Sequence, residues 1–193
     1  MQSYQLQEQK LWGLSLIIAP LLFSVSSFFW NNGEYTLTGG TLLVIGSVFW
    51  IPAFMGLFAK VRHKMPTYAT WGLLIAIYGC ISGSNFGIRG LYADVFGITK
   101  QALLDEAALF PLPFNLTMFW AGPLFPLSLL VLGIVLIRSK AVPVWTGLLL
   151  CVGALCFPLS RIPRSELMAH IADGILLVPL VYLGVRLLRG TDR

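Results

Sequence analysis

The sequence predicts an all-α polytopic membrane protein, a bundle of six transmembrane helices forming one domain over residues 1–193. Three observations carry this. Of the 193 residues 57% are hydrophobic and 11% charged, at a mean hydropathy of +0.82, whereas soluble domains are about 45–50% apolar and about 25% charged. Six stretches are long enough to supply the roughly 20 apolar residues that a hydrocarbon core about 30 Å thick demands. These stretches are apolar all round, without the two-residue alternation of a β-barrel, and unpaired backbone cannot face lipid, so helices remain. Disorder is excluded by the same numbers, since a disordered chain is poor in apolar and rich in charged residues.

The six windows fall at residues 11–30, 40–59, 66–89, 114–137, 142–160 and 167–188. The first is too long for the apolar core of a signal peptide, contains Pro20 and is followed by no small-x-small cleavage pattern, so it is expected to remain as a span. Orientation follows from the lysines and arginines, which are retained on the cytoplasmic side. Lys10, Lys60, Arg62, Lys64, Arg138, Lys140, Arg186, Arg189 and Arg193 share one side, while Arg89, Lys100, Arg161 and Arg164 fall on the other with Glu34, Asp94, Asp105, Glu106 and Glu166. An N-in/C-in topology is therefore expected. It accounts for the net charge of +5 without nucleic-acid binding, because no basic stripe interleaved with aromatics remains. His63 lies in Lys60-Val-Arg-His-Lys64, which reads as an anchor at anionic headgroups, leaving membrane lipids as the first expected partners.

Loops are short except between spans three and four. There Thr99 can cap a short amphipathic helix running to Phe110, with Leu103, Leu104, Ala107 and Ala108 opposite Lys100, Gln101 and Asp105. Such a helix is expected to lie on the outer membrane surface, as a lid over an opening or as a plain tether. Five spans carry prolines (Pro20, Pro52, Pro123 with Pro126, Pro158, Pro179), each removing a backbone hydrogen bond and favouring a bundle that can open around a cavity. In the third span Gly79, Gly83 and Gly87 form a small-residue ridge for close helix packing. Cys80, Cys151 and Cys156 lack the C-x-x-C spacing and read as packing residues. The two halves of the chain show no repeat of the kind transporters carry.

Ionisable residues at membrane depth are costly and hence candidates for function. Glu166, His170 and Asp173 open the sixth span; at about 100° per residue they point at about 0°, 40° and −20°, one stripe over two turns. Asn85 and Arg89 lie at the same depth on the third span, Asn115 and Thr117 open the fourth, and Arg161 and Arg164 precede the sixth. Two readings stay open. One is a structural network, for example Arg89 with Asp173, that fixes how the third and sixth helices meet. The other is an outward-facing pocket built from spans three, four and six. In it Asn85, Arg89, Asn115, Trp120, Arg161, Arg164, Glu166, His170 and Asp173 would contact a small amphipathic or anionic ligand among aromatics such as Trp30, Phe86, Tyr92, Phe114 and Phe119.

Catalysis is weaker. A zinc site would need more than one histidine at one depth, whereas His63 and His170 sit near opposite faces, so no metal is expected. A metal-free hydrolase would use His170 as base, oriented by Asp173, with Ser160 or Ser165 as nucleophile. Proton pumping lacks ionisable groups in the inner half of the sixth span. The sequence leaves any cofactor open. Asn115-Leu-Thr117 matches a glycosylation sequon but lies at the membrane boundary, so chance is the simpler reading.

The run Leu132-Gly-Ile-Val-Leu-Ile-Arg-Ser-Lys-Ala-Val-Pro-Val-Trp-Thr-Gly147, with the late Leu-Gly-Val-Arg-Leu-Leu-Arg189, resembles the helix, Arg-Ser, Pro-x-Trp-x-Gly, helix hairpin of small six-span bacterial membrane proteins of uncharacterised families. The resemblance covers the last third of the chain. It implies a bacterial inner-membrane protein with six helices and carries over no catalytic or binding residue. The expected function is thus binding, sensing or transport of an amphipathic or anionic ligand. The alternatives are a membrane-embedded enzyme acting on a lipid or isoprenoid-like substrate, and a structural subunit of a larger membrane protein complex.

Overall fold

A computed structural model describes residues 2–190. The chain forms α1 (Gln2–Ser26), a 3-10 turn (Ser27–Phe29), a hairpin of β1 (Trp30–Asn31) and β2 (Glu34–Tyr35), α2 (Leu37–Ala59), α3 (Pro66–Phe96), α4 (Lys100–Leu109), α5 (Pro111–Phe114), a π-helical run (Asn115–Phe119), α6 (Leu124–Arg138), α7 (Val144–Arg161) and α8 (Glu166–Leu188). Six of its helical segments are long and apolar enough to cross a membrane, at Gln5–Phe29, Leu37–Ala59, Pro66–Phe96, Pro111–Arg138, Val144–Arg161 and Glu166–Leu188. The multi-pass, six-helix bundle is therefore as the composition requires.

The edges differ from the expected windows for local reasons. α1 begins well before residue 11 because Gln, Glu, Leu and Lys are good helix formers that extend an apolar helix into polar surroundings. α3 runs through Phe96 and stops at Gly97, whose φ of 64° is the left-handed C-terminal cap that glycine adopts without strain. At 31 residues α3 is about 46 Å long and outreaches a hydrocarbon core of about 30 Å. Pro66 at its first turn lacks only an N–H that would be unpaired there. Thr36, Thr99 and Ser165 cap α2, α4 and α8, each accepting the backbone N–H three residues on.

The principal helix contacts run α1–α2, α2–α3, α3–α6, α6–α7, α7–α8 and α8–α1, a closed ring. The ring has two unlike ends. One carries the α2–α3 and α6–α7 turns, tied where Lys64 Nζ donates to Ser139 O at 2.5 Å. The other, the hairpin end, carries β1–β2, α4, the π-helical run and the α7–α8 turn. The middle of the ring is filled by aromatics centred on Phe125, whose ring lies 4.9 Å from Trp50, 5.7 Å from Phe23, 5.8 Å from Phe54 and 5.4 Å from Phe157. Trp50, Phe54, Leu57, Phe58, Leu132, Leu136, Leu150, Leu180 and Leu183 continue this buried core.

The glycine ridge divides in its use. A Cβ on Gly79 would collide with the backbone of Leu124 and Phe125, and one on Gly87 with the carbonyl of Gly40, so these two set the approach of α3 to α6 and to α2. At Gly83, between them, a Cβ would meet nothing within 4 Å. The helices diverge there, and a cavity begins.

Candidate functional site

The cavity occupies the hairpin half of the ring and has a volume of about 440 Å³. Along α3 its wall takes in Cys80, Gly83, Phe86 and Arg89, spread over about 13 Å of the helix. Phe125, Pro126 and Phe23 close it toward the middle of the bundle, and α7 contributes Phe157, Pro158 and Arg161, with Ile162 just beyond its end. From α4, Lys100 and Leu104, one turn apart, reach its rim. Prolines 123, 126 and 158 all lie on the wall. They stand where the helix ladders are interrupted and the neighbouring helices leave room.

Four cations border this apolar space: Arg89, Lys100, Arg161 and Arg164. Two separate arrangements hold them. In the first, Asp173 is buried on α8 and accepts from Arg161 Nη2 at 2.9 and 3.0 Å and from Ser27 Oγ at 2.7 Å. The guanidinium carbon of Arg161 lies 4.7 Å from the Phe157 ring and 5.0 Å from that of Trp30, an aromatic clamp that suits a partly desolvated arginine. In the second, Glu34 of β2 meets three cations: Arg89 Nη2 at 2.7 Å, Lys100 Nζ at 3.5 Å and Arg164 Nη2 at 3.7 Å. Arg164 also donates through Nη1 to Gly33 O at 3.1 Å, latching the α7–α8 turn onto the hairpin. The Nε atoms of Arg89 and Arg161 are buried without a hydrogen-bond partner.

The hairpin that presents Glu34 turns on Asn32-Gly33, with φ of 50° and 74°. Positive φ at both central residues is the type I′ turn that Asn-Gly favours and that matches strand twist. Tyr35, the residue after Glu34, is buried on the cavity wall. Burial pushes its phenol above the ordinary range, with the charges of Arg161 and Arg164 acting in the opposite direction, so it stays a neutral hydroxyl. Asp94 Oδ2 accepts from Leu37 N at 2.6 Å and so serves the start of α2.

The residues predicted from sequence are distributed unevenly. Arg89, Arg161 and Arg164 line the cavity. Asp173 borders it through Arg161 only. The suggested Arg89–Asp173 pair is replaced by Arg89–Glu34 and Arg161–Asp173, because the hairpin inserts a carboxylate beside α3 while the end of α7 lies against α8. His170 stacks on Phe28 at 4.1 Å, its Nδ1 buried and unpartnered, and Glu166 is exposed. Asn85 Nδ2 donates to Thr117 O at 2.9 Å and Asn115 O accepts from Trp120 N at 2.8 Å, both serving the π-helical backbone. Trp120 is 62% exposed on the outside of the ring. Of the aromatics expected at a pocket, Phe86 and Phe119 are on the wall. Span six supplies none of the lining and span five does, since α7 projects Phe157 and Arg161 one turn apart into the space. Ser160 Oγ donates to Phe157 O at 2.7 Å and Ser165 caps α8, so both hydroxyls serve the backbone.

Glu34, Tyr35 and Lys100 are site residues that the search for charges within spans passes over. A local signal for the first two was present in Asn32-Gly33. For Lys100 the signal is its spacing of one turn from Leu104 on an amphipathic helix. No protein-family model matches the chain, and no curated protein or solved structure matches it either.

Proposed function

We propose that this chain is a bacterial inner-membrane protein that binds a small amphipathic, anionic ligand in the cavity at the hairpin end, for sensing or transport. The observation that carries this reading is the combination of an aromatic and aliphatic wall with Arg89, Lys100, Arg161 and Arg164 at one end of it. A purely structural charge network would place its cations against carboxylates in equal number and leave no hollow between them. Here a cavity of about 440 Å³ adjoins them, within the range of about 300–1,000 Å³ typical of small-molecule sites.

In the N-in/C-in orientation favoured by the basic residues, the hairpin end faces the periplasm and the cavity lies in the outer leaflet. Ligand then enters from outside or from the outer leaflet, with α4 resting at the rim as a lid on the membrane surface. A periplasmic reporter fused after Arg189 should be inactive and one fused in the loop before Thr99 active; the reverse result removes the orientation. For the binding reading, native mass spectrometry of gently purified protein should find a retained anionic molecule of low mass. Arg89→Gln, which removes a cation from the open end of the cavity, should lose it, and bare protein in both preparations counts against the reading.

A further inference from the structure

Resting on that binding reading, we infer that the ligand is a phosphate monoester of a single hydrocarbon chain, with its headgroup among Arg89, Lys100 and Arg164 and its tail along Gly83. Charge, shape and the glycine ridge each bear on this.

The four cations on the wall are opposed by two carboxylates that touch them, Glu34 and Asp173. Asp173 is held by both oxygens to Arg161 and is further occupied by Ser27, so this pair is neutral and closed. The excess therefore collects at Glu34, where one carboxylate is shared by three cations, two of them at 3.5 Å or more. Two positive charges remain uncompensated. A single carboxylate ligand would leave one of them, while a phosphate monoester carries close to two negative charges above its second pKa of about 6. Its three acceptor oxygens match three donors on separate elements, α3, α4 and the α7–α8 turn. The unpartnered Nε of Arg89 is a further donor on the same guanidinium.

The tail path is equally constrained. From Arg89 the wall runs through Phe86 and Gly83 to Cys80, about 13 Å, and ends on Phe125 and Phe23. This is an apolar path long enough to take a hydrocarbon chain. Gly83 is its point of control, because a side chain added there would project into open space, whereas Gly79 and Gly87 are in backbone contact.

The test uses the full chain in a non-ionic sugar detergent at pH 8, challenged separately with dodecyl phosphate, dodecanoate, dodecanol and inorganic phosphate. Native mass spectrometry and the thermal unfolding midpoint read retention. Dodecyl phosphate should be retained at about tenfold lower concentration than dodecanoate, the equivalent of one added charge-assisted contact, and inorganic phosphate should not compete at that concentration. Arg164→Gln should erase the advantage over dodecanoate. Gly83→Leu should block all three amphiphiles while its unliganded midpoint stays near that of the parent; if it does not fold, Gly83→Ala should weaken them in the same order. Equal retention of dodecanoate and dodecyl phosphate overturns the headgroup assignment and leaves the binding reading standing. Competition by inorganic phosphate overturns the tail assignment. Failure to retain any amphiphile removes the binding reading itself.

Discussion

The two halves of the ring are built from similar helices and behave in opposite ways. In the half away from the hairpin, Trp50, Phe54, Phe58, Leu132, Leu136 and Leu183 fill the centre, and among the described residues no buried charge lies with them. In the hairpin half, the same helices surround a cavity bordered by arginines, and Asp173 is 3% exposed. The boundary is Phe125, which is both the hub of the aromatic packing and the floor of the cavity. The contrast teaches that small residues in a membrane helix do two jobs. Gly79 and Gly87 bring backbones together, and Gly83, on the same ridge, keeps a space open.

That contrast can be broken at its charges first. Asp173→Ala leaves the Arg161 guanidinium without its carboxylate between Trp30 and Phe157. It should destabilise by about 3–5 kcal/mol, the cost of an uncompensated buried charge, seen as a large fall in the thermal unfolding midpoint in detergent. Asp173→Asn, which can still accept from Ser27, should fall less. A midpoint unchanged in both would mean that the pair is solvated and holds nothing.

The ridge gives the next largest effect. Gly79→Val should cost about 1–3 kcal/mol through overpacking against Phe125, whereas Gly83→Ala should lie within about 0.5 kcal/mol of the parent. Similar losses at both positions would show that the space beside Gly83 is filled. At the hairpin, Gly33→Ala places a Cβ at φ 74° and against Arg164, so it should loosen the latch that positions Glu34. A loss of about 1 kcal/mol is expected, together with weaker ligand retention, measured on the same preparations.

Smallest of all should be His170→Ala. The ring stacks on Phe28 and lies off the cavity wall. A stacked contact of this kind is worth about 0.5–1 kcal/mol, and retention of ligand should be unchanged. Loss of retention would return the acidic stripe of α8 to the site.

Much of the fold was legible because each of its causes is local. A run of about 20 apolar residues has one stable backbone arrangement in lipid, so six windows gave six helices, with ends displaced only where helix-forming polar residues or Gly97 moved them. Thr99 capped a helix as its spacing required. The site was legible by kind. Arg89, Arg161 and Arg164 were picked out as charges that a membrane protein would not keep near a span without reason, and they do line the cavity. Their partners were not legible. Glu34 looked like one more loop acid, and its role depends on a two-residue turn that returns it to α3, 55 residues away in sequence.

By itself the sequence determined that this chain has six segments long and apolar enough to cross a membrane, where the basic residues fall between them, and which residue types could meet an anion. Those outcomes follow from the free energy of each segment in hydrocarbon or at its surface, and that is a property of composition. The tertiary structure decided which carboxylate faces which arginine, that Gly83 opens a space while Gly79 and Gly87 close one, and that α7 rather than α8 lines the cavity. Such pairings depend on the order of helices around the ring and on one short hairpin. Contacts between residues far apart in the chain leave no periodic trace in it, since many partners satisfy the same charge equally well until packing selects one.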